Sequence, residues 1–348
     1  MSPYTMSLLL LSLGLGTTLT FISSHWLMAW MGLEISTLSI LPLMAKPHHP
    51  RAVEATTKYF LTQATAAATL LFAAISNAWF TGQWNIYAES HPVVLIILVF
   101  SLALKMGLAP MHTWLPEVMQ GLTLTTGLIL STWQKLAPFA IMVQLPVETH
   151  PMLLLMGVTS TLVGGWGGLN QTQLRKILAY SSIAHLGWVA IVVQLSPSLA
   201  AFALATYIVM TTTLFLVLNS ASTTTITSMA ASWMKSPLAS ALMPLVLLSL
   251  SGLPPLTGFT PKWLIVKQVI NVGPVLLISI AVMSSLLSLF FYLRLSYYLA
   301  LTVSPNTALS LSTWRLPHPK LPAPAPVAAA LSILLLPLTP GVLTLFSC

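Results

Sequence analysis

Charged side chains are scarce in this sequence. Asp, Glu, Lys and Arg together make up only 5% of the 348 residues, whereas hydrophobic residues make up 56%. A soluble domain carries about 25% charged residues. So few charges cannot cover the water-exposed surface of a chain of this length. The composition therefore excludes a soluble fold and predicts a membrane protein.

Acidic residues and cysteines are also few. Five acids, all Glu, stand against thirteen Lys and Arg. Because no basic run is interleaved with aromatic residues, we attribute the excess to orientation in a bilayer, and expect no nucleic acid as partner. The one cysteine, Cys348, can form neither an internal disulfide nor a zinc or iron–sulfur site, since each needs several ligands. The sequence also lacks a nucleotide-binding loop, and we expect no cofactor in this chain.

Long apolar runs make up most of the sequence. A helix needs about 20 mainly apolar residues to cross the hydrocarbon core. The fold class predicted is all-α: a polytopic membrane protein of about eleven transmembrane helices. The predicted segments are 4–23, 25–45, 54–79, 92–110, 122–145, 151–171, 174–194, 197–220, 240–270, 274–300 and 325–346.

The basic residues alternate between the predicted connections, which indicates the orientation of the chain. Connections after odd-numbered segments contain Glu89 and Glu148, with Lys267 near one helix end as the basic exception. Positive charge marks the inner side of a membrane, so we expect the N-terminus on the positive side and the C-terminus opposite. The connections after even-numbered segments hold Lys46, Arg51, Arg175, Lys176, Lys235, Arg315 and Lys320.

Two Pro- and Gly-rich stretches resemble each other. Residues 107–117 read GLAPMHTWLPE and residues 252–262 read GLPPLTGFTPK, with four identities at one constant offset. Proline interrupts helical hydrogen bonding, so we expect broken helices near Pro110 and near Pro254. Five crossings separate the stretches, which therefore run in opposite directions. Inverted repeats with matching broken helices are typical of transporters, with the ion site at the breaks; the alternative is a chance likeness of two kinks.

Five ionisable residues lie inside predicted segments and are the candidate site residues: Glu34, Lys105, Lys135, Lys262 and His185. An ionisable group near the bilayer centre costs several kcal/mol, so each is a functional candidate. Ordinary alternatives remain for most of them. The glutamate could form a structural ion pair, the lysines beside the breaks could reach the membrane surface, and the histidine could bond a neighbouring hydroxyl. Such groups, linked by water and hydroxyls, would form a proton relay.

Three further charges are weaker candidates. Glu117 aligns with Lys262 in the repeat but could instead face the membrane surface. Glu54 and Lys58 are spaced four residues apart, which is typical of an ordinary pair on a helix surface.

Two motifs resemble a known family. Residues 105–117, KMGLAPMHTWLPE, resemble the broken-helix motif of the antiporter-like membrane subunits of respiratory complex I and of multi-subunit cation/proton antiporters. Residues 175–185, RKILAYSSIAH, resemble the motif that opens the second repeat of the same subunits. The resemblance covers nearly the whole chain.

The resemblance implies a proton-translocating role. Glu34 would be the carboxylate of a first half-channel, Lys105 its partner, Lys135 the linking lysine and Lys262 the central lysine of the second half. His185 stands in segment seven where segment two has the glutamate, and segment ten has no counterpart of the linking lysine. Two equivalent half-channels are therefore in doubt.

The resemblance also implies a setting. We expect a first five-helix repeat over 1–150, a second inverted repeat over 151–300, and a matrix loop followed by a transmembrane helix over 301–348. The protein would lie in the mitochondrial inner membrane, with its N-terminus in the matrix and its C-terminus in the intermembrane space. Its partners would be other complex I membrane-arm subunits and membrane lipids. NADH, FMN, iron–sulfur clusters and ubiquinone would belong to other subunits.

Rival interpretations stay open at the level of sequence. A free-standing secondary cation/proton antiporter would share the inverted repeat. A passive membrane-arm scaffold would keep the fold without moving protons. A haem-binding redox subunit is disfavoured, since only His185 lies centrally in a segment and haem ligation commonly uses histidine pairs.

Overall fold

The computed structural model describes residues 2–46, 48–88, 90–146, 150–234, 237–301 and 322–347. Over these ranges the chain is helical, with short 3-10 turns at Trp133–Lys135, Ala231–Met234 and Leu336–Leu338. The α-helices are α1 (Pro3–Ile22), α2 (Trp26–Ala45), α3 (Pro50–Thr81), α4 (Pro92–Met106), α5 (Trp114–Gly121), α6 (Leu124–Ser131), α7 (Leu136–Gln144), α8 (His150–Gly167), α9 (Leu174–Val192), α10 (Pro197–Ala221), α11 (Ile226–Ala230), α12 (Pro237–Ser251), α13 (Phe259–Val272), α14 (Val275–Leu301), α15 (Pro324–Leu334) and α16 (Thr339–Ser347).

Several helices are suited to a membrane. In the described ranges five are long and apolar enough to cross one unbroken: α1, α2, α3, α10 and α14. The C-terminal pair α15 and α16 would give a sixth as one span bent by 71°. An all-helical, multi-pass membrane architecture follows. Helices overlie each of the eleven predicted segments, but the count of eleven crossings stays a prediction because several of those helices are short or interrupted.

Segment five is divided where the sequence predicted one continuous helix over 122–145. The structure ends α6 at Ser131, forms a 3-10 turn over Trp133–Lys135, and restarts the helix at Leu136. Pro138 has no N–H to donate to the carbonyl of Gln134, so an unbroken α-helix would lose a bond there. At the third position of α7 the missing donor costs nothing, since the first N–H groups of a helix are unpaired.

Both predicted breaks are present. Helix α4 ends at Met106 and α5 begins at Trp114, while α12 ends at Ser251 and α13 begins at Phe259. The residue after each ending helix is a glycine in the left-handed region, with φ of 79° at Gly107 and 83° at Gly252. Glycine adopts this conformation without steric penalty.

The backbone hydrogen bonds around the two breaks also match. The N–H of Leu108 donates to the carbonyl of Ala103 over 2.9 Å, and the N–H of Leu253 donates to the carbonyl of Leu248 over 3.4 Å. In both bonds the N–H donates to the carbonyl five residues earlier in the chain, a pattern that commonly closes the C-terminus of a helix. The predicted loss of helical bonding at both places is confirmed.

Two helix pairs approach closely through glycines. A Cβ on Gly16 of α1 would lie 2.8 Å from the carbonyl oxygen of Gly32 of α2. A Cβ on Gly157 of α8 would lie 2.8 Å from the carbonyl oxygen of Gly187 of α9. Small residues let membrane helices pack backbone to backbone, and here they fix both pairs.

In the described ranges the buried apolar side chains form two clusters. One includes Trp26, Leu98 and Ile191, and the other includes Val118, Leu214 and Phe291. The first break lies between them, because Met106 and Leu108 pack in the first cluster while Trp114 and Leu115 pack in the second. The side chains at this break are therefore held by the core on both sides.

Candidate functional site

Two candidate lysines lie together in the bundle interior. Lys105 is in the last turn of α4 and Lys135 ends the 3-10 turn between α6 and α7; their exposed fractions are 6% and 2%. Both line one cavity, which leaves about 10 Å³ for the centre of a water-sized sphere. That is room for about one water molecule. The structure thus brings the partner lysine and the linking lysine to one small polar space.

The ammonium of Lys135 lies at the end of the broken helix. Its Nζ donates to the carbonyl oxygen of Met106, the last residue of α4, over 2.9 Å. The last carbonyls of a helix have no helical partner and carry partial negative charge. The break therefore creates the acceptor that holds this buried cation.

Glu34 lies on α2 beside the same cavity, which its neighbours Leu33, Ser36 and Thr37 line. It interacts electrostatically with Lys105. Yet the Oε2 of Glu34 and the Nζ of Lys105 are buried without a hydrogen-bond partner among the described residues. The structural ion pair that was the alternative for this glutamate is not formed with any described residue.

Other polar side chains shape the cavity wall. The Nε2 of Gln134 donates to the carbonyl of Ser36 over 2.9 Å, which ties the 3-10 turn to α2. The Nε1 of Trp114 donates to the carbonyl of Leu104 over 3.1 Å, which ties α5 to the end of α4. Sequence reasoning did not single out Gln134 as a site residue, although it stands next to Lys135 at the same depth.

The second break holds Lys262 in an equivalent way. The Nζ of this half-buried lysine donates to the carbonyl oxygen of Ser251, the last residue of α12, over 2.8 Å. In each half, therefore, an ammonium binds the final carbonyl before the break. At the second break the lysine, Lys262, belongs to α13, the helix that directly follows the break. At the first break it is Lys135, which belongs to the 3-10 turn after α6.

His185 belongs to the second centre. It interacts electrostatically with Lys262, and its ring lies 5.6 Å from the ring of Tyr207 between centroids. The hydroxyl of Tyr207 donates to the carbonyl of Ser131 over 3.1 Å. Ser131 ends α6, four residues before Lys135, so Tyr207 links the two centres. No pattern in the sequence distinguishes this tyrosine from the other aromatic residues of its helix.

The weaker candidates form a separate cluster at the surface. Lys58 lies 2.8 Å from Glu54 and 2.7 Å from Glu117, and the side chain of Glu117 is 56% exposed. Glu117 therefore faces the surface, although it aligns in sequence with the half-buried Lys262. Within the described ranges, the ion pairs at contact distance are these two.

A metal centre has no support in the described part of the chain, where no group of three His, Cys, Asp or Glu side chains is placed to hold an ion. The orientation markers Glu89, Glu148, Lys235, Arg315, Lys320 and Cys348 lie outside the described residues.

Comparison with known proteins identifies the family. The family model described as NADH:quinone oxidoreductase/Mrp antiporter, TM, matches residues 23–288, and the model for the NADH dehydrogenase subunit 2 C-terminus matches residues 289–343. The chain belongs to this NADH:quinone oxidoreductase/Mrp antiporter family. A relative from Tetraodon nigroviridis, named NADH-ubiquinone oxidoreductase chain 2, is 59% identical over 347 residues, which cover both chains completely.

Two solved structures share the fold. A chain of respiratory complex I from Thermus thermophilus is 28% identical, with a TM-score of 0.85 over 99% of this chain and 80% of that one. A chain of the Mrp complex from Dietzia sp. has a TM-score of 0.80 at 17% identity, over 97% of this chain and 76% of that one. The likeness to the Dietzia chain shows the fold alone.

Proposed function

We propose that this chain is a proton-translocating, antiporter-like membrane subunit of respiratory NADH:ubiquinone oxidoreductase. It is a multi-pass protein of the mitochondrial inner membrane, and its partners are other membrane-arm subunits of the complex. Full-length vertebrate relatives with that name support the assignment, as does the fold of a bacterial complex I chain. The chain takes part in the enzyme's reaction as a subunit, with NADH, FMN, iron–sulfur clusters and ubiquinone held by others.

One observation carries the proton-translocating role. Two buried lysines, Lys105 and Lys135, share a cavity of about 10 Å³ beside Glu34, and neither has a described carboxylate at contact distance. Burying an ammonium without a paired anion costs several kcal/mol. A subunit that served only as a scaffold would have no use for such buried, unpaired lysines. A proton relay requires them, because lysines in this environment exchange their protons readily.

The arrangement suggests a sequence of events at the first centre. The ammonium of Lys135 is held by the helix-end carbonyl of Met106, while that of Lys105 has no hydrogen-bond partner among the described residues. Negative charge on Glu34 stabilises a proton on Lys105, and neutralising Glu34 releases it toward the cavity. Moving one proton against 100 mV costs roughly 2.3 kcal/mol; the redox reaction in other subunits would supply this energy, and the change of partner would direct the proton.

Lys262 and His185 form the corresponding second centre, and Lys135 connects the two. Support for the connection comes from Tyr207, which contacts His185 and donates to the end of α6. The second centre has no carboxylate in the role of Glu34, so its proton would be controlled by the neutral or charged state of the histidine.

We further propose that the two halves are inverted repeats over 1–150 and 151–300, followed by 301–348. The matching breaks, lysine–carbonyl bonds and glycine pairs support this. So do two isolated bridges, His25 with Asn85 and Gln173 with Thr225, each joining the start of a helix to the loop after the next one. The basic bias of the connections supports an N-terminus in the matrix and a C-terminus in the intermembrane space.

The experiment compares Lys105→Met with Lys267→Met in the assembled complex. Methionine keeps the length of the side chain and removes its charge. Positioned proton-transfer groups contribute about 10²–10⁴-fold to a rate, so Lys105→Met should stop transfer through this chain and lower the protons translocated per NADH oxidised. Lys267 is exposed on α13, and Lys267→Met should leave the ratio unchanged. Proteoliposomes holding equal amounts of each complex provide the measurement; an equal ratio in both variants would contradict the relay.

A further inference from the structure

A polar pocket opens at the surface ends of α3 and α5. Arg51, Glu54, Lys58, Glu117 and Gln120 line it, and it leaves about 360 Å³ for the centres of water-sized spheres. Lys58 bridges the two carboxylates across it. The pocket is therefore wide, charged and open to water, in contrast to the closed lysine cavity of the first centre.

The pocket and the lysine cavity share their walls. On α3, Lys58 lines the outer pocket and the next residue, Tyr59, lines the inner cavity. On α5, Glu117 lines the outer pocket and Trp114, one turn earlier, lines the inner cavity. Tyr59 and Trp114 therefore belong to the layer of side chains between the two spaces on these helices.

The aromatic layer is a packed pair. The ring centroids of Tyr59 and Trp114 lie 5.7 Å apart at 60°, and the exposed fractions are 2% and 7%. Tyr59 also interacts electrostatically with Glu34 on the inner side. Trp114 is fixed in place, since its Nε1 donates to the carbonyl of Leu104.

Helix α5 is anchored at its outer end as well. The carbonyl of Gln120 accepts a hydrogen bond of 3.2 Å from Nη1 of Arg175. A Cβ on Gly121 would lie 2.5 Å from the carbonyl oxygen of Arg51, so only glycine allows this contact with α3. The barrier between the two spaces is thus held by the backbone of both helices.

We propose that the outer pocket is the mouth through which protons reach the first centre, and that Tyr59 and Trp114 form its gate. This rests on the proposed function, because a mouth has meaning only if the lysines carry protons. The mouth opens on the side of Lys46 and Arg51. Glu54 and Glu117 collect protons from water there. Lys105, whose ammonium has no hydrogen-bond partner in the described part of the chain, lies behind the gate.

The two aromatic side chains have different roles in the proposed gate, because their hydrogen-bonding groups differ. A tyrosine hydroxyl both donates and accepts a hydrogen bond, whereas the indole of tryptophan only donates. Tyr59 can therefore accept a proton from the outer side while releasing its own proton toward Glu34, and it ends the step unchanged. Trp114 cannot relay a proton and instead excludes a continuous column of water, which would let protons leak across.

The first test measures access to the inner cavity. Gln63 lines that cavity and is buried. In the assembled complex, with Cys348→Ser to remove the native thiol, Gln63→Cys should react slowly with a small water-soluble thiol reagent added on the side of Lys46. Adding Trp114→Ala should raise the labelling rate about tenfold or more, since thiol reactivity follows access.

Trp166 provides the matched control, because it is 74% exposed on α8. Trp166→Ala should leave the labelling of Gln63→Cys unchanged. Equal labelling rates with Trp114 and with Trp114→Ala would overturn the gate.

The second test keeps the packing and removes one hydroxyl. Tyr59→Phe should assemble normally and lower the protons translocated per NADH, whereas Tyr87→Phe, at an exposed position, should not. An unchanged ratio in Tyr59→Phe would overturn the relay through this hydroxyl. Failure of the proposed function would give a different result. Lys105→Met would then leave the number of protons translocated per NADH unchanged, while Trp114→Ala would still raise the labelling rate of Gln63→Cys.

Discussion

The first and second breaks offer the same acceptor to different lysines. The last carbonyl before the first break, on Met106, binds Lys135, which lies 29 residues further on; the last carbonyl before the second, on Ser251, binds Lys262, which lies 11 residues further on. Interrupting a helix leaves carbonyls without helical partners. The break thus fixes where a buried cation is stabilised, and the surrounding sequence decides which lysine takes the position.

The two centres differ in what surrounds that cation. The first adds a second lysine, Lys105, and a carboxylate, Glu34. The second adds His185, on which no carboxylate acts within the described ranges. Taking up a proton changes a carboxylate side chain from negative to neutral, whereas it changes a histidine side chain from neutral to positive. The halves therefore share a framework without sharing one proton chemistry.

The largest effect should come from the framework. Gly16→Val adds a branched side chain at a position where the Cβ alone would lie 2.8 Å from the carbonyl oxygen of Gly32. Overpacking costs about 1–3 kcal/mol or more, and backbone atoms cannot move aside, so the complex should fail to assemble. Gly14→Val, on the same helix, meets no atom within 4 Å and should assemble normally. The abundance of intact complex on native gels checks both; poor assembly of both would show that the helix simply rejects valine.

The next effect concerns the second centre. Lys262→Met removes the ammonium from the carbonyl of Ser251 and should lower the protons translocated per NADH as far as Lys105→Met does, because both centres lie on one path. Lys267→Met, five residues later and exposed, is the control. A normal ratio in Lys262→Met beside a low one in Lys105→Met would show that only the first half carries protons.

Local sequence signals predicted much of this molecule. Hydropathy placed helices over every predicted segment, and the Gly/Pro pattern located both breaks to within a few residues. The depth of Glu34, Lys105 and Lys135 in their segments predicted that each lies in the interior of the bundle. These features depend on neighbours in the sequence, which is why the sequence alone reveals them.

Long-range contacts could not be predicted in this way. The bond from Lys135 to Met106, the contact of Tyr207 with the end of α6, and the absence of a contact ion pair at Glu34 all depend on how distant helices pack. The 3-10 turn before Pro138 was missed because hydropathy does not register a single lost donor. Eleven crossings and the orientation stay predictions.

The central claim is that Lys105 and Lys135 act on one proton path through their shared cavity. The measurement is protons translocated per NADH oxidised, in proteoliposomes with equal amounts of complex carrying Lys105→Met, Lys135→Met or both. Residues that act as a unit show strongly non-additive losses. We therefore expect each single variant to lower the ratio and the double variant to lower it no further. An unchanged ratio in Lys135→Met, or a double variant whose loss is the sum of the two single losses, would contradict the claim.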